Sequence, residues 1–255
     1  MRLPVWDMHI HLDFMLHPER IAADAASIGL GLFAVTVTPD GYKFLSESLQ
    51  GAENVCIGAG LHPWWIADGR CGMKDVSLLC ECLQQTRFVG EIGLDASPKH
   101  VPEESLKLQT RAFEMICNGC AETSSRNARK ILSIHSVRAA SLTLEILERT
   151  GCLEKCCCIF HWFTGSNEEL TGALKSGCMF SVNEMMLRTR RGREYVRQLP
   201  ADRLLLETDL PPGENVPFSA AEIMLSLENT LKSLSLIRGA EMKDVIRENA
   251  ARIVQ

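Results

Sequence analysis

Residues 5–14 read "VWDMHIHLDF", a short apolar run that closes on two histidines one residue apart and an aspartate. If the run is a strand, alternation sends His9 and His11 to the same side, about 7 Å apart along the chain. Two imidazoles on one face can grip a metal ion; equally, they can satisfy backbone groups at a strand end. The stretch alone leaves both readings open. The chain has seven histidines, and where the others fall decides between them.

Runs of the same kind recur. After "PVWDMH" (4–9) come "LFAVTVTP" (32–39), "NVCIGAGLHP" (54–63), "RFVGEIGLD" (87–95), "KILSIHS" (130–136), "CCIFHWFTG" (157–165), "CMFSVNEMM" (178–186) and "RLLLETDLP" (203–211). Their apolar character is continuous rather than alternating, as strands covered on both faces require. Between them lie stretches such as "AASLTLEILERTG" (139–151), with apolar residues at helical spacing and a glycine stop. Two helices around Gly239 end the sequence. Eight β-α units predict a (β/α)8 barrel, the TIM-barrel architecture, as a single domain over residues 1–255.

Composition narrows the class. A hydrophobic fraction of 46%, a charged fraction of 23% and a formal charge of −5 suit a soluble globular protein and argue against a broad nonspecific nucleic-acid surface. No apolar stretch approaches the length of a membrane span, and no signal-peptide pattern opens the chain, so a cytoplasmic protein with no membrane partner is expected. The eleven cysteines include "CNGC" (Cys117, Cys120) and "CLEKCCC" (Cys152, Cys156, Cys157, Cys158). Three consecutive cysteines cannot all enter one tetrahedral shell, so these read as reduced thiols serving as small apolar residues.

The polar residues with chemistry in them fall late in the runs. His9 and His11 follow the first, His62 the third, Glu91 and Asp95 stand in the fourth, His135 in the fifth, His161 in the sixth, Glu207 and Asp209 in the eighth. Barrel enzymes build their sites at the C-terminal ends of the strands, so these residues should converge on one mouth. Burying that many charges without a counter-charge would cost several kcal/mol each, by order of magnitude. Divalent cations supply the counter-charge, and imidazole with carboxylate suits zinc or manganese. The donor set exceeds what one ion needs and predicts two, bridged by a carboxylate, with zinc, manganese or magnesium as candidates.

The segments "DMHIHLD", "GLHP", "VGEIGLD", "SIHS", "FHWFTGS" and "LLLETDLP" together resemble the TatD family of metal-dependent hydrolases, within the amidohydrolase-like barrels, nearly from end to end. The resemblance implies that His9, His11, Glu91 and Asp209 hold one metal and that Glu91, His135 and His161 hold the other, with Glu91 bridging. It also implies hydrolysis by a metal-bridged hydroxide, with Asp209 orienting or deprotonating the water. The stretches "TVTP", "VGEIGLDASP", "ILSIHS", "GCMFSVNEMML", "RGR" and "LPADRLLLETDLPP" are most similar to the TatD-like nuclease of the Qat anti-phage defence systems. Two positions depart from the family. Val137 stands where relatives carry the arginine of "H-x-R", with Arg138 one place later, and "SVN" (181–183) stands where many carry a glycine.

Catalytic roles are expected for Asp209, Glu91 and His62. His62, in "HPWW", is expected to donate to a substrate oxygen, the alternative being a loop cap. Asp95 and Glu207 are expected to orient imidazoles or loops. "LRTRRGREYVR" (187–197) places Arg188, Arg190, Arg191 and Arg193 after the seventh strand, either against substrate phosphates or on a solvated helix start. Trp64, Trp65 and Trp162 suit stacking on unpaired bases or packing. The expected activity is a nuclease cutting DNA phosphodiesters from single-stranded or 3′ ends, with other defence-system proteins as further partners. The competing readings are a small-molecule amide, ester or lactone hydrolase, and a partner-binding subunit.

Overall fold

A computed structural model describes residues 5–255. Residues 1–4, including the Pro4 expected to open the first strand, lie outside them. Eight parallel strands alternate with helices: β1 (Val5–Ile10), β2 (Leu30–Ala34), β3 (Val55–Ile57), β4 (Phe88–Asp95), β5 (Ile131–Val137), β6 (Cys157–His161), β7 (Met179–Val182) and β8 (Leu204–Leu206). Regular ladders join β1-β2-β3 and β4-β5-β6-β7-β8. Hydrogen bonds just past the ladders close the ring. Ala59 N–H donates to Phe88 O at 3.1 Å and Gly90 N–H to Ala59 O at 2.9 Å, joining β3 to β4. Asp209 N–H donates to His9 O at 2.9 Å and His11 N–H to Leu210 O at 2.8 Å, joining β8 to β1. The molecule is a (β/α)8 barrel, as the eight runs predict. No helix among the described residues is long and apolar enough to cross a membrane.

The strands bury both faces, and the two faces differ. Outward residues such as Leu32, Leu132, Phe160 and Leu206 pack beneath the helices in the main core. Inward residues form a separate apolar floor that includes Met8, Phe33, Val35, Ile131, Ile159 and Leu205, closed from below by Ala250 and Ile253 of helix Lys243–Val254. Above that floor the inward positions turn polar. Along β5 the period-2 series runs Ile131, Ser133, His135; along β6, Ile159 is followed by His161; on β8, Leu205 leads to Glu207 just past the ladder. The barrel interior thus grades from apolar at its base to ionisable at its mouth.

Two irregularities set that grading. The β1/β2 register shifts between Asp7 and Ile10, and the β4/β5 register shifts between Val89 and Ile92. A bulge re-aims the side chains beyond it. On β1 it lets Met8 face the apolar floor while His9 and His11 both face the mouth; on β4 it brings Glu91 inward. Gly93, at φ +143°, lets β4 lie against β5 there, since a Cβ at this position would stand 2.0 Å from His135 O.

The cysteines follow the expectation. All eleven are free, and Cys117, Cys120, Cys152, Cys156 and Cys158 are buried in the main core. Burial pushes thiols such as Cys117 up, to about 11, which keeps them as uncharged apolar residues.

Candidate metal centre

Glu91 is the hub of the mouth. Its carboxylate is 2% exposed, and ring nitrogens approach it from four different strand ends. His9 Nε2 and His11 Nε2 lie 3.3 and 3.2 Å from Oε2; His62 Nε2, His135 Nδ1 and His161 Nε2 lie 3.2, 2.8 and 2.8 Å from Oε1. Asp209 Oδ1 completes the set at 3.5 Å from both His9 Nε2 and His11 Nε2. Asp209 reaches this position in the left-handed region, at φ 58°, as the chain leaves β8.

This donor set fits divalent metal. His9 Nε2 and His11 Nε2 face each other at 3.3 Å, and His135 Nδ1 and His161 Nε2 at 3.4 Å, each pair also facing a carboxylate, as ligands around a common cation do. Three donor groups have atoms within 4.8 Å of one another: His9, His11 and Glu91; His9, His161 and Asp209; His62, Glu91 and His135. All six residues expected as ligands are therefore brought together. The grouping differs from the expected pairing in two respects: His161 falls with His9 and Asp209, and His62 joins Glu91 and His135.

The surroundings orient the imidazoles. His9 Nδ1 meets Ser133 Oγ at 2.7 Å, and His135 Nε2 meets Asp95 Oδ2 at 3.0 Å, which leaves His9 Nε2 and His135 Nδ1 facing Glu91. Such outer hydrogen bonds fix tautomer and ring angle in metal sites. Glu207, fully buried, accepts from Ser181 Oγ, from Asn183 Nδ2 at 2.8 Å and from Trp162 N–H at 3.1 Å. Asp95 and Glu207 thus take the orienting positions expected of them. Asn183, the departure in "SVN", also caps helix Glu184–Arg188 by accepting from Met186 N–H at 2.8 Å.

His62 takes the capping position that was the alternative to its expected substrate role. Its Nδ1 accepts from Trp64 N–H at 3.1 Å, capping helix Pro63–Ala67. Burial drives the imidazole down to about 4, so it is neutral at pH 7. With Nδ1 accepting, the proton sits on Nε2, directed toward Glu91 and the cavity. Ser133 and Asp7 were not foreseen. Ser133 was legible in principle, standing two residues before His135 on the same face of one strand.

Without metal, the cluster balances its charge with protons. Burial works against it, yet hydrogen bonds donated to Asp209 and Glu91 push His11 up to about 10. His161 is likewise raised well above its usual range: burial opposes the shift, and the charge of Glu91 outweighs it. A cation entering between these groups must displace those protons, so metal uptake is expected to strengthen as pH rises and weaken as it falls. Calorimetric titration with zinc or manganese in buffers of different ionisation heat should read release of on the order of two protons per chain near pH 7. Release of none would mean that the facing nitrogens already hold free lone pairs.

A cavity of about 490 Å³ opens above the cluster, lined in part by Phe14, Trp64, Trp65, Trp162, Pro211 and Pro212. The expected phosphate-contacting arginines do not line it. Arg188 pairs with Glu184 at 2.7 Å, and Arg193 donates to the carbonyls of Leu187 and Arg188 at the end of helix Glu184–Arg188. Arg190 and Arg191 are exposed at the start of helix Arg190–Gln198. Val137 lines the cavity, while Arg138 is exposed outside it at φ 54°.

Comparison with known proteins agrees with this geometry. The family model described as "TatD related DNase" matches residues 6–255. The chain is 28% identical over 262 residues to the uncharacterized metal-dependent hydrolase YcfH of Escherichia coli K12, covering 97% of this chain and 94% of that protein. It is 30% identical over 226 residues to the 3′-5′ ssDNA/RNA exonuclease TatD of Dickeya dadantii, covering 81% and 78%. Among solved structures, the TatD homolog YjjV of Escherichia coli K12 superposes with a TM-score of 0.78 at 18% identity, covering 97% and 95% of the two chains, a likeness of fold. A barrel with its ionisable residues gathered at one mouth, matched by the family model almost throughout, makes the chain a metal-dependent hydrolase belonging to the TatD related DNase family.

Proposed function

We propose that the chain, acting as one barrel domain, hydrolyses nucleic-acid phosphodiesters, DNA foremost, from single-stranded ends. The observation that carries this reading is the ring of five imidazoles and Asp209 around the buried Glu91, in a chain 30% identical to a 3′-5′ ssDNA/RNA exonuclease. His9, His11 and Asp209 would hold one divalent ion, His135 and His161 the other, and Glu91 would bridge them. Bound there, such ions make water acidic enough to attack at neutral pH and stabilise the negative charge that develops on phosphorus. Asp209, partly exposed in the lining of the cavity, would orient the attacking water and accept its proton. His62 Nε2–H would donate to a non-bridging phosphate oxygen. Trp65, stacked near Phe14 with ring centroids 6.1 Å apart, offers a flat wall to an unpaired base.

The decisive experiment incubates metal-reconstituted protein with end-labelled single- and double-stranded DNA, RNA and simple esters. Metal-dependent shortening of single strands is expected. Ester cleavage with intact nucleic acid would overturn the nuclease reading in favour of a small-molecule hydrolase. One observation favours that second reading: among the described residues, no lysine or arginine lines the cavity. Cationic help must then come from beyond its rim. Exchanging Arg190 and Arg191 for glutamine should flatten the salt dependence of single-strand binding by roughly 0.7 in slope per lost phosphate contact, with metal content unchanged. An unchanged slope would leave both on a solvated helix start.

The motifs shared with the Qat nuclease support a role in anti-phage defence beside other proteins of such a system. Cells carrying the complete system should lose protection when Glu91 is replaced by glutamine. Full protection with that variant would remove the catalytic role in defence.

A further inference from the structure

Beside the metal ligands, the mouth holds a histidine to which neither the sequence motifs nor the metal cluster gives a role. His100 lies on the loop after β4, half exposed, in the lining of the cavity. Its Nδ1 stands 2.9 Å from Asp95 Oδ2. The same carboxylate builds the turn that carries it: Asp95 Oδ1 accepts from Ser97 N–H at 2.7 Å, and Ser97 O accepts from His100 N–H at 2.9 Å. Asp95 Oδ2 also accepts from Trp64 Nε1–H at 2.7 Å and faces His135 Nε2 at 3.0 Å. One buried carboxylate therefore fixes both backbone and ring of His100, and ties them to a ligand of the metal centre. The Trp64 and His100 rings lie 5.0 Å apart, which limits the imidazole's swing.

With Nδ1–H committed to Asp95, the free edge of the ring is Nε2, and among the described residues it has no hydrogen-bond partner. An imidazole anchored on a carboxylate at one nitrogen and open to a reaction cavity at the other is arranged for proton transfer. Phosphodiester cleavage needs a proton opposite the attacking water, because the departing sugar oxygen is a strongly basic alkoxide unless it is protonated as it leaves.

We propose that His100 is the proton donor to the leaving oxygen, with Asp95 as the residue that positions it. This rests on the phosphodiesterase reading above. As water adds to phosphorus and gives up one proton to Asp209, the bond from phosphorus to the leaving oxygen breaks, its electron pair stays on that oxygen, and the oxygen takes the Nε2 proton of the doubly protonated His100 ring, whose Nδ1–H stays on Asp95. The neutral imidazole is then reprotonated from solvent. The net change is one water consumed, one alcohol released and one phosphate ester freed of it.

The test compares two substrates that differ in leaving group. Oligothymidylate releases a sugar hydroxyl, which needs a proton; thymidine 5′-p-nitrophenyl phosphate releases a phenolate, which does not. For His100→Gln, turnover of the oligonucleotide should fall by roughly 10²–10⁴-fold, the range typical of a lost general acid, while turnover of the p-nitrophenyl ester stays within about twofold of the parent. Equal losses on both substrates, or no loss on either, would overturn the proposal. A parent protein that cleaves the activated ester alone would also overturn it, since no acid would then be assisting the leaving group. A metal-loaded parent inactive on both substrates would instead overturn the phosphodiesterase reading on which it rests. His100→Ala, measured in parallel with metal content, should reproduce the substrate difference; a fall in metal content would show that His100 acts through His135.

Discussion

Replacing Glu91 by glutamine is expected to remove both metal uptake and hydrolysis while leaving the barrel folded. One ring nitrogen from each of the five imidazoles faces this one carboxylate, within 2.8–3.3 Å. Burial alone would raise its pKa, yet the charges of His62, His161 and His9 hold it well below the usual carboxylate range. Its stabilising contribution is therefore complete above its unfolded pKa and is lost only as pH falls through that lower value. In Glu91→Gln the imidazoles lose their shared counter-charge, but histidine can shed a proton, so the metal-free variant should remain folded near pH 7 with its ring pKa values lowered. Metal has no such alternative. Two cations held close need an anion between them, and turnover should drop by at least roughly 10³-fold, the scale reached when a group stabilising developing charge is removed. Thermal denaturation gives an independent reading. Metal at about 100 times its Kd should stabilise the parent by about 2.7 kcal/mol per site, and the variant by little. Turnover near that of the parent would place the centre elsewhere.

The strand ends show which parts of this arrangement the sequence makes legible. All eight apolar runs coincide with strands, because burial on both faces leaves a continuous signature that needs no knowledge of partners. Five of the runs, the second, third, sixth, seventh and eighth, overshoot their strands at the C-terminal end, and His62, Glu207 and Asp209 stand in that excess. The second run extends to residue 39, but β2 stops at Ala34: Thr36 N–H instead reaches Gly90 O at 2.8 Å, and Thr36 O accepts from Glu91 N–H at 2.9 Å, across the short β3. Gly60 permits that crossing, since a Cβ there would lie 1.8 Å from Thr36 O. The candidate ligands are legible because imidazole and carboxylate are rare at such positions. Their surroundings are less so: Asp95 is marked by its charge, but Ser133, though alternation puts it on the face of His135, is an ordinary small residue with nothing to mark it as a partner of His9, and His100 acquires its place only through a turn organised by Asp95. The arginines show the opposite failure. Clustered charge after β7 suggested phosphate contacts, whereas the fold turns Arg188 to Glu184 and Arg193 to helix-end carbonyls.

Asp7 carries a prediction that no local pattern suggests, because Thr208, the partner of both its oxygens, lies 201 residues away. Fully buried, its Oδ1 accepts from His9 N–H at 3.2 Å and Thr208 N–H at 3.0 Å, and its Oδ2 accepts from Thr208 Oγ1. It joins β1 to the segment that carries Asp209, so it closes the barrel at the level of the ligands. Asp7→Ala strands three donors, one buried and two part-buried, each costing roughly 1–3 kcal/mol when fully buried and unsatisfied. A loss of about 4 kcal/mol should lower Tm by about 8–16 °C in a chain of this size and loosen the grip of His9, His11 and Asp209 on metal. Asp7→Asn should cost far less: its amide oxygen can accept from both backbone N–H groups, and its NH₂ can donate to Thr208 Oγ1. Burial, opposed by the Thr208 hydrogen bonds, raises Asp7 to about 7. An acid whose folded pKa exceeds its unfolded one binds more protons when folded, so its contribution to stability declines as pH climbs from about 4 to about 7. The asparagine variant lacks that decline, and its Tm relative to the parent should improve across the same interval. An asparagine variant as unstable as the alanine one would show that the negative charge, rather than the acceptor geometry, closes the barrel.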